Sequence, residues 1–435
     1  MIYNIIKIGD SMIDVSENII DILKEINKKG YEAYLVGGAV RDSLLGKENK
    51  DFDICTNMPL TEIKTLYPNF HLMKPNNNRN TGVMRLNNLE IEISEFKGGS
   101  LLEDLRNRDF TINAIAMDKD GQIIDPFNGI ESLNKKEISL IRQTGEAFII
   151  DPLRILRAIR IAARMNFSID EDCKKEMLKN KDLLDNVAAE RIYRELIQIL
   201  ITDTPAKYIR DNIDIFFQIL PELKPLQGFD QHNPWHIYDV LEHTLVVLEN
   251  TPRNIFVRFA ALFHDIGKPE TFIVGEDGKG HFYGHPEVSA KIFDDISSRL
   301  KMDNKTKKIV RQLIEKHDMT LSKKPEKIYQ FIKESGIDFT QLLFELKKAD
   351  NKGQNPYLAF TVLKELEEIE KIYLGYIMVI ENLQINREKI NQLGIRGKKI
   401  KIIMDDVRKQ ILKRNIDNTE EDIISYIESN YKQKK

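Results

Sequence analysis

Apolar and polar positions along the 435-residue chain follow two different periods. Residues 17–29 repeat at helical spacing and stop at Gly30, which predicts one amphipathic helix. Short strand-like runs follow: EAYLV, DFDI, GVMRL and LEIEISEF, separated by Gly, Asn and Pro turns that include PNNNRN. From about residue 129 the strand pattern fades, and long helical patterns such as PLRILRAIRIAARM and AERIYRELIQIL take over. The fold class expected is therefore α+β, a small mixed head followed by a long all-α body. Two stretches read as joints, PELKPLQGFDQHNPW (221–235) and NKGQNP (351–356). A Gly-rich insert, GEDGKGHFYGHPE (275–287), reads as a hairpin or loop.

Length argues for two to four domains, more than one ordinary core. No apolar run approaches the roughly 18 residues needed to span a bilayer, so no membrane partner is expected. Lys7, Asp10 and Asp14 interrupt the N-terminal apolar residues, which argues against a signal peptide. Cys55 and Cys173 are too few for a disulfide framework and fit a reducing cytoplasm. A net charge of −3 does not advertise a nucleic-acid binder. Local basic stretches (GIRGKKIKI, VRKQILKR and YKQKK) can still meet an RNA backbone.

The first candidate chemistry lies in LVGGAVRDSLLGKENKDFDI (35–54). In a strand, Asp51 and Asp53 point to one side while Phe52 and Ile54 enter the core. Neighbouring carboxylates repel; they are tolerated when solvated or when they share a divalent cation. LEIEISEF offers a third carboxylate, with Glu90, Glu92 and Ser94 on one face. Gly37-Gly38 permits close approach of backbone to a phosphate, and Arg41 supplies a planar cationic fork. A polar strand face beside a tight turn would show the same residues.

LVGGAVRDSLLG followed by DFDI resembles the head signature of polymerase-β-type nucleotidyltransferases. More narrowly, it resembles the bacterial tRNA nucleotidyltransferase (CCA-adding enzyme) and poly(A) polymerase family. Further blocks follow in that family's order: EDLRNRDFTINAIAMD (103–118), DPLRILRAIRIAARMNF (151–167) and AAERIYRELIQIL (188–200). The resemblance covers roughly residues 30–205. It implies a metal-dependent attack of a tRNA 3′-hydroxyl on the α-phosphorus of CTP or ATP, with Mg²⁺ as cofactor. By the same resemblance Asp51 and Asp53 hold Mg²⁺ and Glu92 is the third catalytic carboxylate, with Glu90 and Glu95 as rivals. Gly38, Arg41 and Arg108 would bind the nucleotide.

On a helix, Arg154, Arg157, Arg160 and Arg164 fall within roughly 120° of arc, while Ile155, Leu156, Ile159 and Ala162 or Ala163 face a core. Asp151 precedes Arg154 by three positions, so the two can be neighbours. In the family resembled, this pair reads the base without a nucleic-acid template, and Arg157 and Arg160 would meet phosphates. Asp151-Pro152 also reads as an ordinary helix start, with Asp as N-cap. The family usually has Glu before this Asp; here the residue is Ile150.

In the second half, HNPWHIYDVLEHTLVVL (232–248), FAALFHDIGKPE (259–270), His317-Asp318 and KKADNKG together resemble the HD superfamily of metal-dependent phosphohydrolases. Six of the eight histidines fall between residues 236 and 317. His236 and His243, seven apart, are expected on one helical face. His264-Asp265 ends an apolar helix, and Asp350 follows in KKADNKG. The resemblance implies a metal held by His243, His264, Asp265 and Asp350. His285 and His317 lie where some members carry histidines for a second metal. These donors suit Mn, Fe, Co, Ni or Zn, with Mg also compatible.

The organisation expected is a nucleotidyltransferase head (1–148), a helical neck with nucleobase recognition (149–225), an HD domain (226–370) and a helical tail contacting tRNA (371–435). The function expected is CCA addition to tRNA from CTP and ATP, with an HD phosphohydrolase activity on tRNA ends. A poly(A) polymerase or an A-only or CC-only tRNA enzyme shares every motif. An HD phosphohydrolase with an RNA-binding head is the alternative of another class. The oligomeric state is not set by these residues.

Overall fold

The computed structural model describes residues 5–6, 16–47, 49–73, 80–142 and 145–431. Glu48, nearly all of PNNNRN, most of the N-terminal stretch and the lysines of YKQKK lie outside these residues. The chain divides into two compact units. One runs to Asp203 and adds Asn212–Ile219; the other joins Thr204–Asp211 to Leu220–Lys435.

The first unit is built on an eight-stranded sheet: β1 (Ile5–Ile6), β2 (Ala33–Val36), β3 (Asp51–Thr56), β4 (His71–Leu72), β5 (Thr81–Leu86), β6 (Leu89–Glu95), β7 (Ala116–Met117) and β8 (Ile123–Ile124). Their spatial order is β1-β8-β7-β2-β3-β6-β5-β4. β3 pairs antiparallel with β2 and parallel with β6, so it is internal and locked on both edges. Its alternation behaves as the pattern requires: Phe52 and Ile54 are buried, Asp51 and Asp53 exposed. Ile91 and Ile93 of β6 face the same core.

The Arg154–Met165 helix follows the head. Its stripe of Ile155, Leu156, Ala158, Ile159 and Ala162 is fully buried, and the Ala189–Leu200 helix packs against it. Each Ile or Leu so buried contributes about 1.5–3 kcal/mol. Asn166 ends the helix in the left-handed conformation, with φ 54°, and the Phe167 amide returns to the Ala162 carbonyl at 2.9 Å.

The second unit is helical. Val240–Glu249, Ile255–Phe263, His285–Arg299, Asn304–Lys316 and Ile337–Lys352 pack together. The Gly-rich insert forms a hairpin pairing Ile273–Val274 with Gly280–His281. A 26-residue helix, Pro356–Glu381, leads to a tail whose own core is aliphatic, with Ile390, Ile400, Ile403, Val407, Ile423 and Ile427 buried.

Candidate active sites

The head site begins with register. In the parallel β3–β6 pair, Asp51 stands opposite Glu90 and Asp53 opposite Glu92. The three glutamates of β6 diverge. Glu90 is engaged by Arg85 at 3.1 Å, and Glu95 accepts from the Leu60 amide at 3.1 Å and from Asn80 at 2.8 Å. Glu92 is the one beside Asp53. Oxygen-only donors on an open strand face fit a hard cation such as Mg²⁺ that keeps part of its water shell.

β2 leads through Gly37 into the Gly38–Leu44 helix, and the glycine is required twice over. Its φ is +73°, and a Cβ there would fall 2.8 Å from Arg108 Nη1 and 3.2 Å from Asp53 Oδ2. Backbone, guanidinium and carboxylate therefore meet at one point. Arg108 is held from behind by buried Asp104 at 3.0 Å. Burial opposes its charge, but Asp104 and Asp53 outweigh that and keep it protonated.

A buried polar chain then crosses from head to neck. Arg41 Nη1 donates to Asn113 Oδ1 at 2.7 Å, Asn113 Nδ2 donates to Asp109 Oδ1 at 2.8 Å, and Arg157 Nη2 pairs with Asp109 Oδ2 at 2.8 Å. A cavity of about 430 Å³ opens among these groups, with Gly38, Asp53, Arg108, Asp151, Arg154 and Arg160 in its wall. All of these side chains belong to the first unit.

Asp151 and Arg154 both line this cavity, and each also has a partner of its own. Asp151 is met by Arg191 of the Ala189–Leu200 helix, 3.3 Å from each carboxylate oxygen. Arg154 donates instead to the Asn107 carbonyl at 2.6 Å, and burial lowers its pKa. The helix starts at Arg154 rather than Pro152, and Asp151 accepts from the Leu153 amide at 3.3 Å, two positions upstream of the N-cap Leu153. Arg160 is tied to Glu195 at 2.6 Å. Ile150 is 64% exposed, so the apolar residue at the usual Glu position is turned outward.

The second unit holds a cluster of imidazoles and carboxylates. Five elements supply it: His243 from Val240–Glu249, His264 and Asp265 just past Ile255–Phe263, His285 at the start of its helix, His317 just past Asn304–Lys316, and Asp350 from Ile337–Lys352. Asp265 joins two groups of donors. Its Oδ2 lies 3.3 Å from His243 Nε2 and 3.2 Å from His264 Nε2, while its Oδ1 lies 3.3 Å from His285 Nε2 and 3.7 Å from His317 Nε2. Asp350 Oδ1 completes the first group, 3.1 Å from His243 Nε2. Among the described residues, His243–His264–Asp265 and Asp265–His285–His317 are the two groups whose donor atoms fall within 4.8 Å of one another. Asp51, Asp53 and Glu92 do not draw together in that way.

The tautomers follow from the hydrogen bonds. His243, His264, His285 and His317 each direct Nδ1 at a backbone carbonyl, of Gly353, Ala261, Phe282 and Ile314, at 3.1, 2.8, 2.8 and 2.7 Å. A carbonyl only accepts, so Nδ1 carries a proton and Nε2 faces inward. Those inward nitrogens approach to 3.4 Å (His243 and His264) and 3.2 Å (His285 and His317). Burial opposes a second proton there, but Asp265 and Asp350 raise the pKa of His264 to about 10, so a cation, whether proton or metal, is favoured between these nitrogens. Two nitrogens bound tetrahedrally at about 2.0–2.1 Å would stand roughly 3.3 Å apart, so the donor set fits a transition metal. Burial raises the carboxyls, yet the imidazoles hold Asp265 and Asp350 well below the usual carboxylate range, with Lys268 adding to the effect at Asp265. Gly353 is needed here, because a Cβ would stand 2.7 Å from Val247 and 3.0 Å from His243 Nδ1.

Three family models match the chain. "Poly A polymerase head domain" covers residues 33–100 and 97–139, "Probable RNA and SrmB- binding site of polymerase A" covers 166–226, and "HD domain" covers 236–352. Among curated proteins, a CC-adding tRNA nucleotidyltransferase of Halalkalibacterium halodurans is 40% identical over 44% of this chain and 50% of its own length. A CCA-adding enzyme of Limosilactobacillus reuteri is 35% identical over 50% of this chain and 58% of its own. The chain thus spans about half the length of these two relatives. A multifunctional CCA protein of Dechloromonas aromatica is 34% identical over 63% of this chain and 70% of its own length. The chain belongs to the CCA-adding enzyme family. The fold is shared with solved structures too. The Bacillus stearothermophilus CCA-adding enzyme in complex with CTP matches with TM-score 0.60 at 23% identity, covering 95% of this chain and 96% of that one. The Thermotoga maritima CCA-adding enzyme complexed with tRNA matches with TM-score 0.60 at 21% identity, covering 95% of each chain.

For a member of the CCA-adding enzyme family, several contributors escaped the motif reading. Asp104 and Asn113 lie inside the second block, where their types suggested only a polar loop. Arg191 lies in the fourth block, forty positions from its partner Asp151. Lys268 is buried, 2.7 Å from Asp265 Oδ2 and 2.8 Å from Gln231 Oε1. His236 is not on the helix expected for it. That helix begins at Val240 behind the N-cap Asp239, leaving His236 in a loop with its ring edge-on to His243, centroids 5.5 Å apart. Burial, Lys268 and His243 lower its pKa to about 3. No helix among the described residues is long and apolar enough to cross a membrane.

Proposed function

We propose that this chain adds C, C and A to tRNA 3′ ends from CTP and ATP. The observation that carries this reading is the cavity in which Asp53, Gly38 and Arg108 of the head share a wall with Asp151, Arg154 and Arg160 of the neck. Asp51, Asp53 and Glu92 would hold Mg²⁺, which supplies charge neutralisation and a lowered pKa for the attacking hydroxyl. Arg108, fixed by Asp104, faces the triphosphate, and Arg41 braces the Gly37–Gly38 turn through Asn113. Asp151 and Arg154 read the base edge once they leave Arg191 and the Asn107 carbonyl. The basic tail beyond residue 371 would meet the tRNA backbone, and a cytoplasmic location fits the two buried free thiols. The test is a tRNA lacking its 3′ end, offered CTP and ATP separately and together. Ordered addition of C, C and A is expected; a long run of A from ATP alone would replace this reading with poly(A) synthesis. The 40% identity with a CC-adding enzyme favours one narrower reading, addition of C residues only. The same assay separates it, because ATP would then extend no end.

A second activity is proposed for the His–Asp cluster: metal-dependent hydrolysis of a phosphoester, with a tRNA end bearing a 2′,3′-cyclic phosphate or a 3′-phosphate as the substrate class. Its support is the convergence of four Nε2 atoms on one shared carboxylate. The donors suit Mn, Fe, Co, Ni or Zn. Hydrolysis of such ends after reloading with each metal, and its absence after chelation, is the expected result.

A further inference from the structure

His236 stands beside the second-unit metal cluster without belonging to it. It is absent from both groups of donors within 4.8 Å, yet its ring packs edge-on against His243 at 83°. The four ligand imidazoles are each wired to a backbone carbonyl through Nδ1. His236 differs: its Nδ1 is buried and meets no hydrogen-bond partner. Folded proteins rarely leave a buried polar atom in that state, because desolvation goes uncompensated.

The placement is also built rather than incidental. The Asn233 side chain accepts from the Trp235 amide at 3.1 Å, and the His236 amide donates to the Asn233 carbonyl at 2.9 Å, shaping a tight turn. From the other side Asn355 clamps the same loop. Its amide donates to the Trp235 carbonyl at 2.8 Å and its Nδ2 to the Pro234 carbonyl at 3.0 Å. Asn355 follows the helix that carries Asp350, so the loop is fastened to the ligand framework itself. A loop backbone held this firmly fixes where the ring stands, and its idle buried nitrogen is left for a group that arrives from outside.

We propose that His236 is a substrate-contacting residue of the HD centre, with its Nδ1 hydrogen-bonding a phosphoryl oxygen of the bound phosphoester. This rests on the hydrolase reading for the type of ligand, and on geometry for the atom that meets it. The imidazole N–H donates to the phosphoryl oxygen.

Two substitutions isolate the atom. In His236→Asn the amide stands where Nδ1 was; in His236→Gln it stands nearer the position of Nε2 and leaves the Nδ1 place empty. The full chain, loaded with Mn²⁺, is assayed for metal stoichiometry, for orthophosphate affinity by calorimetry, and for hydrolysis of bis(p-nitrophenyl) phosphate. Both variants are expected to keep the wild-type metal content. His236→Asn should stay within about threefold of wild type in phosphate affinity, and His236→Gln should lose about tenfold or more. Equal behaviour of the two variants overturns the proposal, as does loss of metal from either, which would make His236 a ligand. If wild type binds phosphate but hydrolyses no ester, the hydrolase reading fails while the phosphate titration still decides the role of His236. If the loaded wild type binds no phosphate, both fall.

Discussion

Asp53 and Asp109 line the same cavity in opposite settings. Asp53 sits on the open face of β3 beside the Arg108 guanidinium. Asp53→Ala is expected to lower nucleotide addition by about 10³-fold or more. Near-normal addition by that variant, measured with tRNA binding intact, would remove its role. Asp109 is buried between Arg157 and Asn113. Burial alone would raise its pKa, but Arg157, Asn113, Arg154 and the Phe110 amide together bring it below the ordinary value. A carboxyl depressed in the folded state stabilises above its unfolded pKa, near 3.9, and that contribution drains away as pH falls through the folded value. The first unit is thus expected to lose stability below about pH 4, and Asp109→Asn should flatten that acid limb in a urea titration run against pH. An unchanged limb would show that other carboxylates set it.

The elements were legible where one face is buried. The alternation of DFDI and LEIEISEF placed β3 and β6, and the stripe through Ile155, Leu156 and Ile159 placed the arginine helix, because side-chain period is dictated by backbone geometry. Ile159→Ala should accordingly cost about 2–5 kcal/mol by chemical denaturation, since it opens a cavity under that helix. Partner choice was not legible in the same way. Asp151 and Arg154 are close in sequence, but Arg191 reaches Asp151 from the neighbouring helix and the Asn107 carbonyl takes Arg154. Periodicity says which face a side chain occupies, not which donor on another element arrives there first. His236 illustrates the second limit: seven-residue spacing suggested a shared helix, but Asn233 and the N-cap Asp239 hold a turn that delays the helix to Val240. The rings still meet, by a loop route that no helical period describes.

At the scale of the molecule, each candidate site is complete within one compact unit. No residue of the nucleotide cavity comes from the unit that holds the His–Asp cluster. His264→Ala is therefore expected to abolish metal binding at that cluster and to leave nucleotide addition within about twofold of wild type. Lost addition would show that the cluster's metal supports the first unit. One further consequence concerns β3, which is locked between an antiparallel and a parallel neighbour. If that strand paired one residue out of step, Asp51 and Asp53 would turn inward and Phe52 and Ile54 would face water. Two unpaired charges in the core would cost more than a domain's whole stability margin of about 5–15 kcal/mol. Misassembly of the strand is thus an error the chain cannot carry silently: a molecule with the wrong carboxylate face would be an unfolded one, and assembly of the carboxylate edge is proofread by the same core that forms the sheet.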